Sequence, residues 1–108
     1  MSRVLNQSEI QKYLKALQDG WDAVDDKKIR REFHLGNFKE AMIFVKKVAN
    51  LAESEGHHPD IHIFYNKVMI ELWTHSVGGL SEKDFKLAIK IDNLCQDKIE
   101  KGRKFRTL

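Results

Sequence analysis

The groups best suited to moving protons near neutral pH crowd into one stretch of this chain, Glu53 to Asp84, which reads ESEGHHPDIHIFYNKVMIELWTHSVGGLSEKD. It holds four of the five histidines, the single proline and a Gly-Gly pair. His57 and His58 stand side by side before Pro59, and His75 ends a strand-like run with Asp84 nine residues beyond it. Imidazoles donate and accept protons near pH 7, so such a cluster suits general acid–base chemistry. Neighbouring side chains of an extended segment point to opposite sides, so His57 and His58 cannot share a strand face. They can flank a ligand at the mouth of a loop.

Each of these residues also has a plainer reading. A lone H-H-P is more often an exposed loop pair than a site. Ser81 with Asp84 three residues on is a capping box, and a capping carboxylate is equally able to orient His75. Glu53 reads as a helix-end surface acid. The histidine spacing matches neither H-E-x-x-H nor a cysteine–histidine finger, so no metal site is expected. Cys95 is the only cysteine and falls on an apolar helix stripe, which points to packing and excludes an internal disulfide. Trp21 and Trp73 read as core or interface residues. Gly78-Gly79 lacks the context of a phosphate-binding loop.

The elements that must carry these residues follow from periodicity. Ser8, with Gln11 at capping-box distance, predicts a short helix over 9–18 that buries Ile10, Tyr13, Leu14 and Leu17. Trp21 to Val24 and the alternating run from Lys27 to Leu35 predict two strands about an Asp25-Asp26 turn, with Arg31 out of phase on the apolar face. Asn37, with Glu40 behind it, starts a long helix to about Glu53. Its stripe is Phe38, Ala41, Met42, Val45, Val48, Ala49 and Ala52, and Gly56 lies beyond its end. Asp60–Phe64 and Lys67–Thr74 predict a second pair of strands around Tyr65-Asn66. Ser81 caps a last helix from Glu82 to Lys101, followed by the basic, fraying tail GRKFRTL. The fold class is α+β: α-β-β-α-β-β-α, a four-stranded antiparallel sheet with two long helices on one face plus the short N-terminal helix.

At 108 residues the chain suits a single domain spanning 1–108, with 42% hydrophobic residues to fill one core. Its charged fraction is 32% and its mean hydropathy −0.51. No apolar run is long enough to cross a bilayer, and MSRVLNQSEI lacks the features of a signal or transit peptide, so a cytoplasmic location is expected. Net charge is +3 with interspersed signs, which gives no argument for nucleic acid.

Taken together, the stretch resembles the signature of the pterin-4a-carbinolamine dehydratase family. The matching parts are E-x-x-x-H-H-P at Glu53–Pro59, Y-N-K-V at Tyr65–Val68, L-x-T-H at Leu72–His75, G-L-S-E-K-D at Gly79–Asp84 and L-A-x-x-I-D at Leu87–Asp92, with Gly20-Trp21 as a further landmark. The resemblance covers nearly the whole chain and implies a hydro-lyase. Its substrate would be a 4a-hydroxytetrahydropterin, from which water leaves to give quinonoid dihydropterin in pterin cofactor regeneration. It implies His57, His58, His75 and Asp84 as the acid–base group, with Asp84 supporting His75 or the pterin. Glu53, Gly56, Trp73, Thr74 and Ser76 are implied as substrate contacts. It implies no metal or cofactor, the pterin being the substrate. It further implies a homodimer or homotetramer and a functional link to a pterin-dependent aromatic amino acid hydroxylase. Trp21–Val24 and the sheet face bearing Met69, Glu71 and Trp73 are the surfaces expected to meet another subunit. The competing readings are a non-catalytic interaction scaffold or transcriptional coactivator of the same fold, and a nucleic-acid binder acting through the basic tail.

Overall fold

A computed structural model describes residues 3–101, with side chains to residue 94. The order is α1 (Gln7–Lys15), β1 (Asp22–Val24), β2 (Lys28–His34), α2 (Phe38–Glu55), β3 (Asp60–Phe64), β4 (Lys67–Leu72) and α3 (Glu82–Lys101), with one 3₁₀ turn, His75–Val77, between β4 and α3. The α+β class and the order of elements are those expected from periodicity. The Cys95 side chain and the basic tail lie outside the described residues.

The strands pair antiparallel in the order β1-β2-β4-β3. Alternation places Ile29 and Phe33 of β2 and Val68, Ile70 and Leu72 of β4 on one face. There they join Ala41, Phe44 and Val48 of α2 and Phe85, Ala88 and Ile91 of α3 in a single core. The other face is polar. Glu71 is buried there between the Lys28 ammonium at 3.2 Å and His62 at 2.9 Å. Burial works to raise its carboxyl, but the bonds from His62 and Lys28 together outweigh that and hold it below the usual range.

Several local expectations are corrected. The first helix starts two residues early because Asn6, not Ser8, caps it. The Asn6 side chain accepts from the Glu9 N–H, and the Glu9 carboxylate accepts from the Asn6 N–H, which makes a complete capping box. It ends at Lys15, where the Ala16 and Leu17 N–H groups bond three residues back and tighten the last turn. Along α2 the buried stripe is Ala41, Phe44, Val48 and Ala52, while Phe38 and Met42 are exposed and Phe44 fills the core. The strand β4 stops at Leu72 rather than Thr74. β1 is a three-residue edge beginning at Asp22, and Trp21 precedes it with its side chain buried.

Arg31, out of phase in the sequence, has a structural reason. Its guanidinium donates to Asp92 Oδ1 of α3 at 2.7 Å, and the Trp21 indole N–H lies 3.0 Å from both oxygens of that carboxylate. Burial pushes the Asp92 carboxyl up, against the Trp21 bond and the Arg31 charge. This cluster ties the chain before β1 to the far side of the core. Gly20 makes room for it: φ is +112°, and a Cβ there would lie 2.9 Å from Arg31 Nε. Gly20→Ala should therefore cost about 1–3 kcal/mol, combining backbone strain with displacement of Arg31. The urea midpoint should fall accordingly, and an unchanged midpoint would show that Arg31 gives way freely.

Candidate active site

The β3–β4 hairpin creates the site. Asp60 pairs with Glu71, so the chain entering β3 and the chain leaving β4 emerge at the same end of the sheet. Gly56–Pro59 lies on one side and Trp73–Ser76 on the other. The entry is fixed by the end of α2. Gly56 turns the chain in the left-handed conformation at φ 66°, and the His57 N–H bonds back to the Ala52 carbonyl. On the exit side, reciprocal backbone bonds between Thr74 and Gly79 close a loop that returns the chain to the start of α3. Asp84, in the first turn of α3, is thereby carried beneath both histidine segments.

Between these segments lies a cleft of about 380 Å³. Its walls include His57, His58 and His75 together with Gly56, Trp73, Thr74 and Ser76. Asp84 is fully buried behind the histidines, and Glu53 is exposed beside His58. One side chain that sequence reasoning missed, Lys83, also lines the cleft. Its only signal in the sequence is a cation in a helix's first turn, where carboxylates are favoured. His62 is elsewhere, bonded to Glu71 on the sheet. Among the described residues no group of three His, Cys, Asp or Glu side chains is close enough to hold a metal ion.

The hydrogen bonds order these groups. Asp84 Oδ1 pairs with His57 Nε2 at 2.6 Å, while Oδ2 accepts from the Thr74 hydroxyl at 2.8 Å and the Ser81 N–H at 3.0 Å. The proton of Thr74 is committed to Asp84, so in the 2.7 Å contact between the two hydroxyls Ser81 is the donor. With Asp84 as the acceptor of all three bonds, the proton between Oδ1 and the ring is assigned to His57 Nε2. That leaves Nδ1 as the ring nitrogen open to a substrate. Asp84 therefore orients His57, not His75. The His75 ring is instead stacked on Trp73, with centroids 3.7 Å apart and planes at 26°. His58 Nε2 meets Glu53 Oε2 at 2.6 Å, but both side chains are mostly exposed, so the pair gives little fixation. The cleft thus holds one rigidly supported imidazole, one held by stacking and one at the solvent edge.

Residues 3–94 match the family model described as pterin 4 alpha carbinolamine dehydratase. A putative pterin-4-alpha-carbinolamine dehydratase of Chloroflexus aggregans is 50% identical over 90 residues, covering 83% of this chain and 95% of the relative. The mitochondrial pterin-4-alpha-carbinolamine dehydratase 2 of Arabidopsis thaliana is 44% identical, over 79% of this chain and 48% of its own length. Among solved structures, a transcriptional coactivator/pterin dehydratase from Brucella melitensis superposes with a TM-score of 0.79 at 39% identity, covering 84% of this chain and 97% of that one.

Proposed function

The chain belongs to the pterin 4 alpha carbinolamine dehydratase family, and from that premise we propose that it eliminates water from a 4a-hydroxytetrahydropterin to give the quinonoid dihydropterin. The observation that carries this reading is the gathering of His57, His58 and His75 around one cleft, with a buried carboxylate fixing the first of them. The elimination breaks the C4a–O bond and removes the N5 proton, so it needs one base and one acid. It changes no oxidation state and calls for no redox cofactor. His57 is the base: Asp84 holds the proton on Nε2, leaving Nδ1 to take the proton from N5, and the carboxylate steadies the resulting imidazolium. His75, stacked on Trp73, delivers the proton to the departing hydroxyl, and His58 exchanges protons with solvent at the rim. Gly56, Trp73, Thr74 and Ser76 bound the pterin, and Glu53 steers His58. In this role the enzyme acts in the cytoplasm, following a pterin-dependent aromatic amino acid hydroxylase and regenerating its cofactor. No helix of the described residues is long and apolar enough to cross a membrane.

Stopped-flow absorbance on freshly generated 4a-hydroxytetrahydropterin tests the reading. Wild-type protein should accelerate dehydration well above the buffer rate. A folded protein that leaves the rate unchanged would abandon the enzyme reading in favour of a scaffold or coactivator role, a pairing already present in the description of the Brucella melitensis relative.

The working unit we propose is a homo-oligomer. Support comes from apolar side chains left open on α2 and at the β3 edge: Phe38 is 50% exposed, Phe64 55%, and Met42 and Ile43 each 38%. Light scattering should return a mass of two or four chains, and Met42→Glu should lower it. A wild-type monomer at tens of micromolar would remove this part of the proposal.

A further inference from the structure

Lys83 is an exposed residue in the first turn of α3, where helix formation does not favour a cation. The first turn of a helix stabilises carboxylates and disfavours ammonium groups. Its two neighbours follow that rule, and both are engaged away from it. Burial and the Glu82 carboxylate beside it push the Tyr13 hydroxyl up, and Asp84 is occupied by His57, Thr74 and Ser81. Further along α3, Lys90 has a carboxylate partner in Glu55 at 2.6 Å. The Lys83 ammonium has none among the described residues, and its side chain forms part of the cleft wall. Of the other basic groups there, His57 and His58 each face a carboxylate of their own and His75 is stacked on an indole. Lys83 thus supplies the cleft with a positive charge that the protein itself does not neutralise.

A charge so placed is complementary to an anion on the bound molecule. The pterin ring is uncharged near neutral pH, and its C4a–N5 edge has to meet the histidines for proton transfer. Two groups adjoin that edge, the C4 carbonyl and the C6 substituent, and of these the substituent alone can carry a negative charge to pair with Lys83. We propose that Lys83 is a specificity-determining residue that selects pterins whose side chain carries an anionic group, a phosphate or a carboxylate. This rests on the dehydratase reading and narrows its substrate class.

Calorimetric titration with stable oxidised pterins tests it without relying on turnover. The probes are neopterin, which is neutral, neopterin monophosphate and pterin-6-carboxylate. Wild-type protein should bind at least one anionic probe about fivefold more tightly than neopterin at low salt, the scale of one partly solvated ion pair. The preference should shrink at high salt. The ratio of affinities should fall to about one in K83Q and persist in K83R. Whichever anionic probe shows the larger ratio identifies the phosphate or the carboxylate as the group selected. Neopterin binding with no anionic preference in wild type, or a preference that survives in K83Q, overturns the assignment of Lys83 and leaves the dehydratase reading standing. Failure of folded wild type to bind any of the three probes overturns both.

Discussion

Replacing His57 should slow dehydration by about 10²–10⁴-fold, the range lost when a positioned acid–base group is removed. The expectation is specific to this histidine because of its surroundings. Its side chain is 14% exposed and bonded at 2.6 Å to a carboxylate with no exposure at all. It is the imidazole in the cleft with a defined tautomer and a buried partner to receive the charge it gains. The loss should appear in kcat, with a smaller change in KM, because the proton is transferred only in the transition state. His57→Ala also strips a buried carboxylate of one donor, so a fall in rate could come from a damaged fold. His57→Gln separates the two causes: its amide can still donate to Asp84, but it cannot take up a proton. The Gln variant should therefore melt close to wild type and turn over as slowly as the Ala variant. His58→Ala offers the contrast. Its partner Glu53 is 77% exposed and the pair is open to water, which can replace the ring as a proton carrier. A loss of about tenfold is the expected scale there. Stopped-flow rates for the three variants decide the matter, and His57→Gln with more than a tenth of the wild-type rate would remove His57 from the role of base.

Much of this arrangement was open to a reader of the sequence, and the limits have physical causes. The two long helices and the β3–β4 hairpin were legible because their periodicity extends over whole elements and their turns carry unambiguous residues. The α1 start was not, because Asn6 and Ser8 are both competent caps and only the reciprocal bond with Glu9 distinguishes them. The fate of Phe44 depends on which face of α2 meets the sheet, which a helix with apolar residues on several sides does not reveal. The three histidines and Asp84 could be singled out by type. The pairing of Asp84 with His57 rather than His75 could not, since the partners are 27 positions apart and meet only through the hairpin register and the Thr74–Gly79 closure. Thr74 and Ser81 show the same limit. Ser81 reads as a capping residue and Thr74 as a strand end, and their joint role appears only when the Thr74 hydroxyl and the Ser81 N–H are found on one oxygen of a buried carboxylate. Arg31 was visible as an irregularity but not as a tie to Asp92, 61 positions away.

That carboxylate is where stability and activity should come apart. Asp84→Ala leaves the Ser81 N–H and the His57 ring N–H without an acceptor inside the protein and strips the Thr74 hydroxyl of its carboxylate partner. A broken buried network of this kind costs about 3–5 kcal/mol. For a domain of this size that is a fall in Tm on the order of 15 °C or more, a large share of the total stability. Asp84→Asn should behave differently. Two donors converge on Oδ2, so the asparagine carbonyl must occupy that position, and its NH₂ group must then face His57 Nε2. The amide donates where the carboxylate accepted, so the ring has to present a lone pair at Nε2 and carry its proton on Nδ1. The fold is retained at a cost of about 1–2 kcal/mol, since each local donor keeps an acceptor. The nitrogen offered to the substrate, however, is now already protonated, and no buried carboxylate remains to steady an imidazolium. Activity should therefore drop by about 10²-fold or more while the protein stays folded. Thermal melts paired with dehydration rates for Asp84→Ala and Asp84→Asn test both halves of this expectation. An Asn variant that is stable and nearly as fast as wild type would mean that Asp84 serves only to hold α3 against the loop, and that His57 needs no fixed tautomer to work.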